Sequence, residues 1–251
     1  MTECRAVHLD WPHSTRPEPL VEGQVQVWAA SLDVPVDQRR RLEATLSQDE
    51  RARAARYRLE DPARRFVVAR GVLRELVGMY LDVSPTAIAL VADEHGKPAL
   101  RYRGEHPLEF NVTHSGDLAL YAFTLGRRVG VDVERIRPMT NMRALVDRVF
   151  SEAERLVFER LGADEQVDAF FSTWTRKEAF VKARGSGIAG QLDKFDVTVR
   201  RTEPARLLRV EGDGAGPSQW SLAHLEPAEG FVGAVAVAVE SPELEFVCRC
   251  R

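Results

Sequence analysis

In Val129-Gly-Val-Asp-Val-Glu134 the valines fall on one parity and Gly130, Asp132 and Glu134 on the other. On a β-strand this places both carboxylates on one face, roughly 6.5 Å apart, within reach of one divalent ion. Oxygen-only ligands suit Mg²⁺ or Mn²⁺, which keep positions for water and substrate phosphate. Gly130 is expected to leave room beside the carboxylates for a ligand. The same alternation also describes a strand with one wet, acidic face. A second pattern lies downstream, where Phe171, Trp174, Glu178 and Lys182 follow one another at spacings of three, four and four. On a helix, a carboxylate and an ammonium then continue a stripe begun by bulky aromatics. Either they form a surface i, i+4 pair, or each has a task. Glu178 would be a third carboxylate at the metal or a general base, and Lys182 would neutralise phosphate charge moving onto a leaving group.

The elements that must position these residues are marked by caps, turns and periodicity. Ser47-Gln-Asp-Glu50 and Ser151-Glu-Ala-Glu154 are capping boxes, the second opening a helix through Leu161. Residues 51–74 hold eight arginines against only Glu60 and Asp61. Apolar residues recur there at helical spacing, which predicts one or two helices, with Pro62 expected to separate them. Ser84-Pro85 predicts a short helix before the turn His95-Gly96-Lys97-Pro98. Phe110–Thr113 and Leu118–Thr124 read as strands joined at His114-Ser-Gly-Asp117, and Val129–Val133 as a third strand of a meander. Asp164 to Arg184 reads as a long helix stopped by Gly185. Phe195-Asp-Val-Thr198 echoes Phe110-Asn-Val-Thr113, and Phe231–Val239 resembles the strand ending at Phe123. Two related halves are therefore expected, with Gly126-Arg-Arg128 as the crossover and Gly212–Ser218 as a loop.

The chain has 251 residues, 44% hydrophobic and 29% charged, with a formal net charge of −3. That balance argues against a whole-surface nucleic-acid binder and leaves the arginine stripe as a local patch. No apolar run reaches membrane-span length and the first residues lack a signal-peptide pattern, so a cytoplasmic protein is expected. Cys4, Cys248 and Cys250 form neither a disulfide framework nor a CxxC site. Gly185-Ser-Gly-Ile-Ala-Gly190 fits GxGxxG but follows a helix and opens no βαβ unit, so it fails the dinucleotide test. His114 at a strand end is either structural or, beside a basic stripe, a phosphate contact.

Gly96-Lys97-Pro98, Phe110-Asn-Val-Thr-His-Ser-Gly116, the Val129–Glu134 strand and Phe171-Ser-Thr-Trp-Thr-Arg-Lys-Glu-Ala-Phe-Val-Lys182 occur in this order. Together they resemble the Sfp-type 4′-phosphopantetheinyl transferases, roughly from Ser47 to Val199. Position 113 is Thr where the family usually has Ser in Asn-x-Ser-His-Ser. The resemblance implies transfer of phosphopantetheine from coenzyme A to a serine of an acyl, peptidyl or aryl carrier protein, releasing 3′,5′-ADP with Mg²⁺ or Mn²⁺. It implies Asp132, Glu134 and Glu178 as metal ligands, with Glu178 or a metal-bound water as the base. Lys182 would stabilise developing charge, and Lys97, His114, Arg53 and Arg65 would contact coenzyme A, with Arg56 and Arg70 as further candidates. The implied fold is α+β, a monomer of two similar α/β halves related by a pseudo-twofold axis with the cofactor between them. Residues 1–126 would carry the basic helices and the adenine and 3′-phosphate contacts, and residues 127–251 the metal carboxylates and catalytic helix. Neither nucleic acid nor a membrane is an expected partner. Two rivals remain at this stage: a Mg²⁺-dependent coenzyme A pyrophosphate hydrolase, and a non-catalytic module using the arginines to bind RNA or an acidic protein.

Overall fold

The computed structural model describes residues 11–92, 96–101, 107–185, 192–211, 216–239 and 244–251. Its elements run β1 (Gln24–Ser31), α1 (Val36–Ala44), α2 (Gln48–Ala54), α3 (Glu60–Leu81), β2 (Leu90–Ala92), β3 (Pro98–Leu100), β4 (Leu108–Ser115) and β5 (Leu118–Leu125). The order then repeats as β6 (Val129–Arg135), α4 (Met142–Val149), α5 (Glu152–Phe158), α6 (Ala163–Arg184), β7 (Phe195–Val197), β8 (Leu207–Val210), β9 (Trp220–Leu225) and β10 (Phe231–Ala238), with β11 (Glu245–Cys250) appended. The sheets follow the repeat. One has the order β11-β1-β5-β4 and the other β6-β10-β9, so β6-β10-β9 reproduces β1-β5-β4; hairpins β2-β3 and β7-β8 follow the two long helices. The mixed helix and sheet content is α+β, as expected.

Alternation on the strands sorts side chains into layers. Val25, Val27, Leu120, Ala122, Val131, Val133 and Val235 form one apolar core between the two sheets. On the outer faces, Trp28, Tyr121 and Phe123 pack against Val68, Val72 and Leu76 of α3, and Ala234 and Ala236 against Ala179, Phe180 and Ala183 of α6. The two long helices thus cover opposite sides of a double sheet. Both are locked in the same way. The capping-box glutamate of the preceding short helix receives a buried cation from the fifteenth residue of the long one: Arg74 Nε donates to Glu50 Oε2 at 2.6 Å, and Lys177 Nζ lies 2.8 Å from Glu154 Oε2.

Several expectations require correction. Pro62 does not separate two helices but sits in the first turn of α3, where its missing amide costs no intrahelical bond. The meander does not form, because Val129–Arg135 leaves the β4-β5 hairpin and pairs antiparallel with β10, a hundred residues on. The hairpin itself is tighter than expected: β4 continues through His114 and Ser115, and the turn is Gly116-Asp117 with Gly116 at φ 57°. The Phe110 and Phe195 echo is not structural, since Phe195 lies in β7, whose counterpart in the repeat is β2, while Phe110 lies in β4. Phe231–Ala238 does occupy the place in its sheet that Leu118–Leu125 holds in the other. Residues 186–190 and 212–215, and Cys4, lie outside the described residues. Among the described residues Cys248 and Cys250 are free thiols, and no helix is long and apolar enough to cross a membrane.

Gly130 does not leave room for a ligand. A Cβ there would stand 2.2 Å from the Ala179 carbonyl oxygen and 2.3 Å from the Ala183 amide, so the glycine is where α6 lies backbone to backbone on β6. Gly130→Ala is therefore expected to lower stability by about 2–3 kcal/mol and to separate the helix from the strand. Urea denaturation reads this, and a wild-type midpoint would contradict the close approach.

Candidate active site

The parity of β6 holds: Val129, Val131 and Val133 face the inter-sheet core, and Gly130, Asp132 and Glu134 face α6. Because α6 comes so close at Gly130, Lys182 reaches back over the strand. Its Nζ donates to Asp132 Oδ1 at 2.6 Å, Thr113 Oγ1 at 3.1 Å and the Val131 carbonyl at 3.2 Å. The ammonium therefore serves β6, and the alternative of a simple surface pair with Glu178 is not what forms. Asp132 is 5% exposed, and its Oδ2 is buried with no hydrogen-bond partner. Burial raises the Asp132 carboxyl above the ordinary carboxylate range, against the Lys182 charge, the Thr113 hydroxyl and the Val133 amide, which all lower it. Glu134 is raised by burial and by the Asp132 charge, with the Ser115 hydrogen bond opposing. Glu178 is raised by burial and then by Asp132 and Glu134, with Lys182 and Lys97 opposing. The three carboxylates feel one another, yet among the described residues no three acidic, imidazole or thiol side chains stand close enough to hold a metal by themselves.

The β4-β5 hairpin supplies the next layer. β4 forms the edge of one sheet and runs beside β6, the edge of the other, with side chains in place of a shared ladder. Asn111 Oδ1 accepts from the Val131 amide at 2.9 Å, Thr113 Oγ1 donates to Asp132 Oδ1 at 3.1 Å, and Ser115 Oγ donates to Glu134 Oε2 at 2.9 Å. His114, on the opposite parity, is exposed. Loss of water on its protein side, and then the Lys182 and Arg65 charges, hold its imidazole below the ordinary value. At the turn, Asp117 accepts from Arg64 Nη2 at 2.9 Å and from Arg65 Nε and Nη2 at 2.9 and 3.3 Å. This anchors the hairpin tip to the first turns of α3. Arg65 thus stands within electrostatic reach of His114.

Arg53 is elsewhere. It lies with its guanidinium 5.2 Å from the Phe66 ring centroid, and Arg70 approaches the same ring at 5.6 Å. Both line a cleft of about 320 Å³ that also takes in Arg101, Gly96 and Pro98. A shallower concavity of about 580 Å³ on α2 is lined by Arg53, Arg56 and Tyr57, farther from the carboxylates. Lys97, between Gly96 and Pro98, donates to the Lys182 carbonyl at 3.0 Å and ties the cleft wall to α6. Of the residues expected in the site, the structure gathers Asp132, Glu134, Glu178, Lys182, Lys97, His114 and Arg65. Arg53 stands with Arg70 in the adjoining cleft.

Sequence reasoning missed the supports. Lys177, inside the quoted helix motif, is a buried strut: its Nζ donates to the carbonyls of Leu192 and Phe195 at 2.6 and 2.7 Å and pairs with Glu154. The signal was available, because the Ser151–Glu154 capping box leaves a second glutamate oxygen, which accepts from the Val197 amide at 2.8 Å. Asn111 and Ser115 could be seen only as parts of a motif, since nothing in their spacing discloses β6 as their partner.

Residues 35–125 match the family model described as 4′-phosphopantetheinyl transferase, N-terminal, and residues 128–239 that of the 4′-phosphopantetheinyl transferase superfamily. The 4′-phosphopantetheinyl transferase HetI of Nostoc sp. is 38% identical over 231 residues, covering 90% of this chain and 94% of that protein. The chain belongs to the 4′-phosphopantetheinyl transferase superfamily. It is also 26% identical to 4′-phosphopantetheinyl transferase Sfp of Bacillus subtilis, over 70% of this chain and 78% of that one. A solved holo-(acyl-carrier-protein) synthase from Bacillus anthracis, in complex with CoA (3′,5′-ADP), is similar at a TM-score of 0.36 and 20% identity, over 45% of this chain and 96% of that one.

Burial pushes the Asp117 carboxyl up, but its hydrogen bonds to Arg65 and Arg64 outweigh this and hold it below the ordinary range. A depressed carboxyl contributes stability above its unfolded value, near pH 4, and loses it as pH falls through the folded one. Asp117→Asn should therefore destabilise the protein by about 1–2 kcal/mol at pH 7. The deficit should persist to about pH 4 and shrink below it. Denaturant melts across this range check it, and no deficit at pH 7 would contradict the anchoring role.

Proposed function

We propose that this chain transfers the 4′-phosphopantetheine group of coenzyme A to a serine hydroxyl of an acyl, peptidyl or aryl carrier protein, releasing 3′,5′-ADP. The observation that carries the reading is the join of β6 to α6. There a buried carboxylate oxygen of Asp132 has no partner, the Asp132 charge raises the carboxyls of both Glu134 and Glu178, the Lys182 and Lys97 charges oppose it at Glu178, and His114 lies within reach of Lys182 and Arg65. Acids crowded in this way, with an orphaned oxygen among them, suit a divalent cation. Mg²⁺ fits best because it keeps waters and takes substrate phosphate, so the protein need not supply a closed cage. Bound by Asp132, Glu134 and Glu178, it would neutralise pyrophosphate charge.

The chain's own residues do the rest. Phe66 with Arg53 and Arg70 offers a flat aromatic and two guanidiniums to the adenine and 3′-phosphate end of coenzyme A, and His114 and Arg65 meet phosphate at the hairpin tip. In this assignment residues 1–126 hold the nucleotide end, residues 127–251 carry the carboxylates, and a monomer suffices. Glu178, its carboxyl raised by burial, accepts the proton of the carrier serine. The serine oxygen then bonds to the β-phosphorus while the bond from that phosphorus to the bridging oxygen breaks, in line, and 3′,5′-ADP leaves. Lys182, held by Asp132 and Thr113, presents positive charge where the leaving phosphate gains negative charge.

Intact-protein mass spectrometry of an apo carrier protein incubated with coenzyme A and Mg²⁺ tests this, and a gain of one phosphopantetheine is expected only with metal present. Lys182→Ala should lower turnover by about a hundredfold or more with a smaller change in coenzyme A affinity. An equal loss in both would make it a binding residue only. Asp132→Asn should reduce transfer to background. Coenzyme A breakdown without carrier modification would instead mean a hydrolase.

A further inference from the structure

Some of the carboxylate oxygens already hold donors from the protein. The Lys182 ammonium can only donate, so Thr113 Oγ1, 3.1 Å away, accepts from it and directs its single proton to Asp132 Oδ1, also at 3.1 Å. Asp132 Oδ1 then holds two donors, Thr113 and Lys182, while Oδ2 is buried without any. A similar arrangement lies two residues along. The Arg135 amide donates to Ser115 Oγ at 3.1 Å, so the Ser115 proton goes to Glu134 Oε2 at 2.9 Å. Arg137 Nη1 lies 3.7 Å from that same oxygen, and among the described residues Glu134 Oε1 has no partner.

Each hydroxyl thus bonds one oxygen of its own acid and leaves the other. Their register is fixed by Asn111, next in the same stripe of β4, whose Oδ1 accepts from the Val131 amide. We propose that Ser115 restricts Glu134 to one available oxygen, as Lys182 and Thr113 together restrict Asp132, and so selects a small six-coordinate cation, Mg²⁺ or Mn²⁺, against Ca²⁺. Ca²⁺ takes six to eight oxygens and commonly both oxygens of a carboxylate, whereas Mg²⁺ requires six in near-ideal octahedral array. Removing the Ser115 hydroxyl frees a second Glu134 oxygen for the larger ion, whereas at Asp132 the Lys182 ammonium stays on Oδ1 at 2.6 Å whatever residue 113 is. Ser115 is a positioning residue that acts through Glu134, and the inference rests on the metal reading given above.

The test is competition of Mg²⁺ and of Ca²⁺ against Mn²⁺ on the full chain, followed by the Mn²⁺ electron paramagnetic resonance signal, with no turnover required. Ser115→Ala is expected to shift the Ca²⁺-to-Mg²⁺ affinity ratio towards Ca²⁺ by at least about fivefold, and Thr113→Val, which leaves Lys182 on Asp132 Oδ1, should retain the native ratio. Thr113→Ser and Ser115→Thr, which keep the hydroxyl, should retain the native ratio. Ser115→Val serves as a second hydroxyl-free variant if Ser115→Ala fails to fold. An unchanged ratio in the Ser115 variants that lack the hydroxyl overturns this proposal and leaves the metal reading standing. Failure of the unmodified chain to bind Mn²⁺ overturns both.

Discussion

The contact between Lys182 and Asp132 exists because a helix backbone rests directly on a strand backbone. With any side chain larger than hydrogen at position 130, α6 would be held away from β6, and a lysine on its last turn could not reach an aspartate inside the strand. Once that contact is set, much else follows. The Asp132 carboxylate is charge-paired and fixed through one oxygen, Glu134 stands two residues along on the same face, and Glu178 is one helical turn before Lys182. Three acids and one ammonium then share a partly buried space, where charges interact more strongly than in water.

The repeat explains why the chemistry sits where it does. Pairing of β1 with β5 and of β6 with β10 sets Trp28 in the place of Asp132, Ala30 in that of Glu134 and Gln26 in that of Gly130. On the helices, Glu75 and Met79 of α3 stand where α6 has Glu178 and Lys182. The first copy fills its helix-sheet seam with apolar packing: Trp28 is 1% exposed and its Nε1 donates to the Tyr80 hydroxyl at 2.9 Å. The second copy opens the same seam to carboxylates. What the first copy contributes is its hairpin, because β4 brings Asn111, Thr113 and Ser115 onto β6 and carries His114, while the turn residue Asp117 holds Arg65 of α3. The site is thus shared between copies, and a strut of one kind, a capping-box glutamate on a buried cation, holds each long helix at its angle.

Much of this could be read before any coordinates. The alternation of Val129–Glu134 put Asp132 and Glu134 on one face, helical spacing put Glu178 with Lys182, and both capping boxes and the Gly185 stop stand where the local residues place them. These are short-range rules, acting within one or two turns. What could not be read depends on partners far along the chain. Nothing near β6 marks β10 as its neighbour, and nothing near Arg65 marks Asp117. Gly130 read as space because a missing side chain looks the same whether a ligand or a backbone fills the gap. The Phe110 and Phe195 likeness misled for a related reason: four residues of strand composition recur by chance, whereas the true repeat lies in element order and in the Ser47 and Ser151 boxes.

The proposed site at the β6-α6 join would hold a divalent cation beside the phosphates of coenzyme A. Crystals grown with coenzyme A and Mn²⁺, measured at the manganese absorption edge, test it most directly. One anomalous peak is expected, bounded by Asp132 Oδ2, Glu134 and Glu178 and touching the pyrophosphate. No peak there, or one elsewhere on the chain with coenzyme A bound, would contradict it.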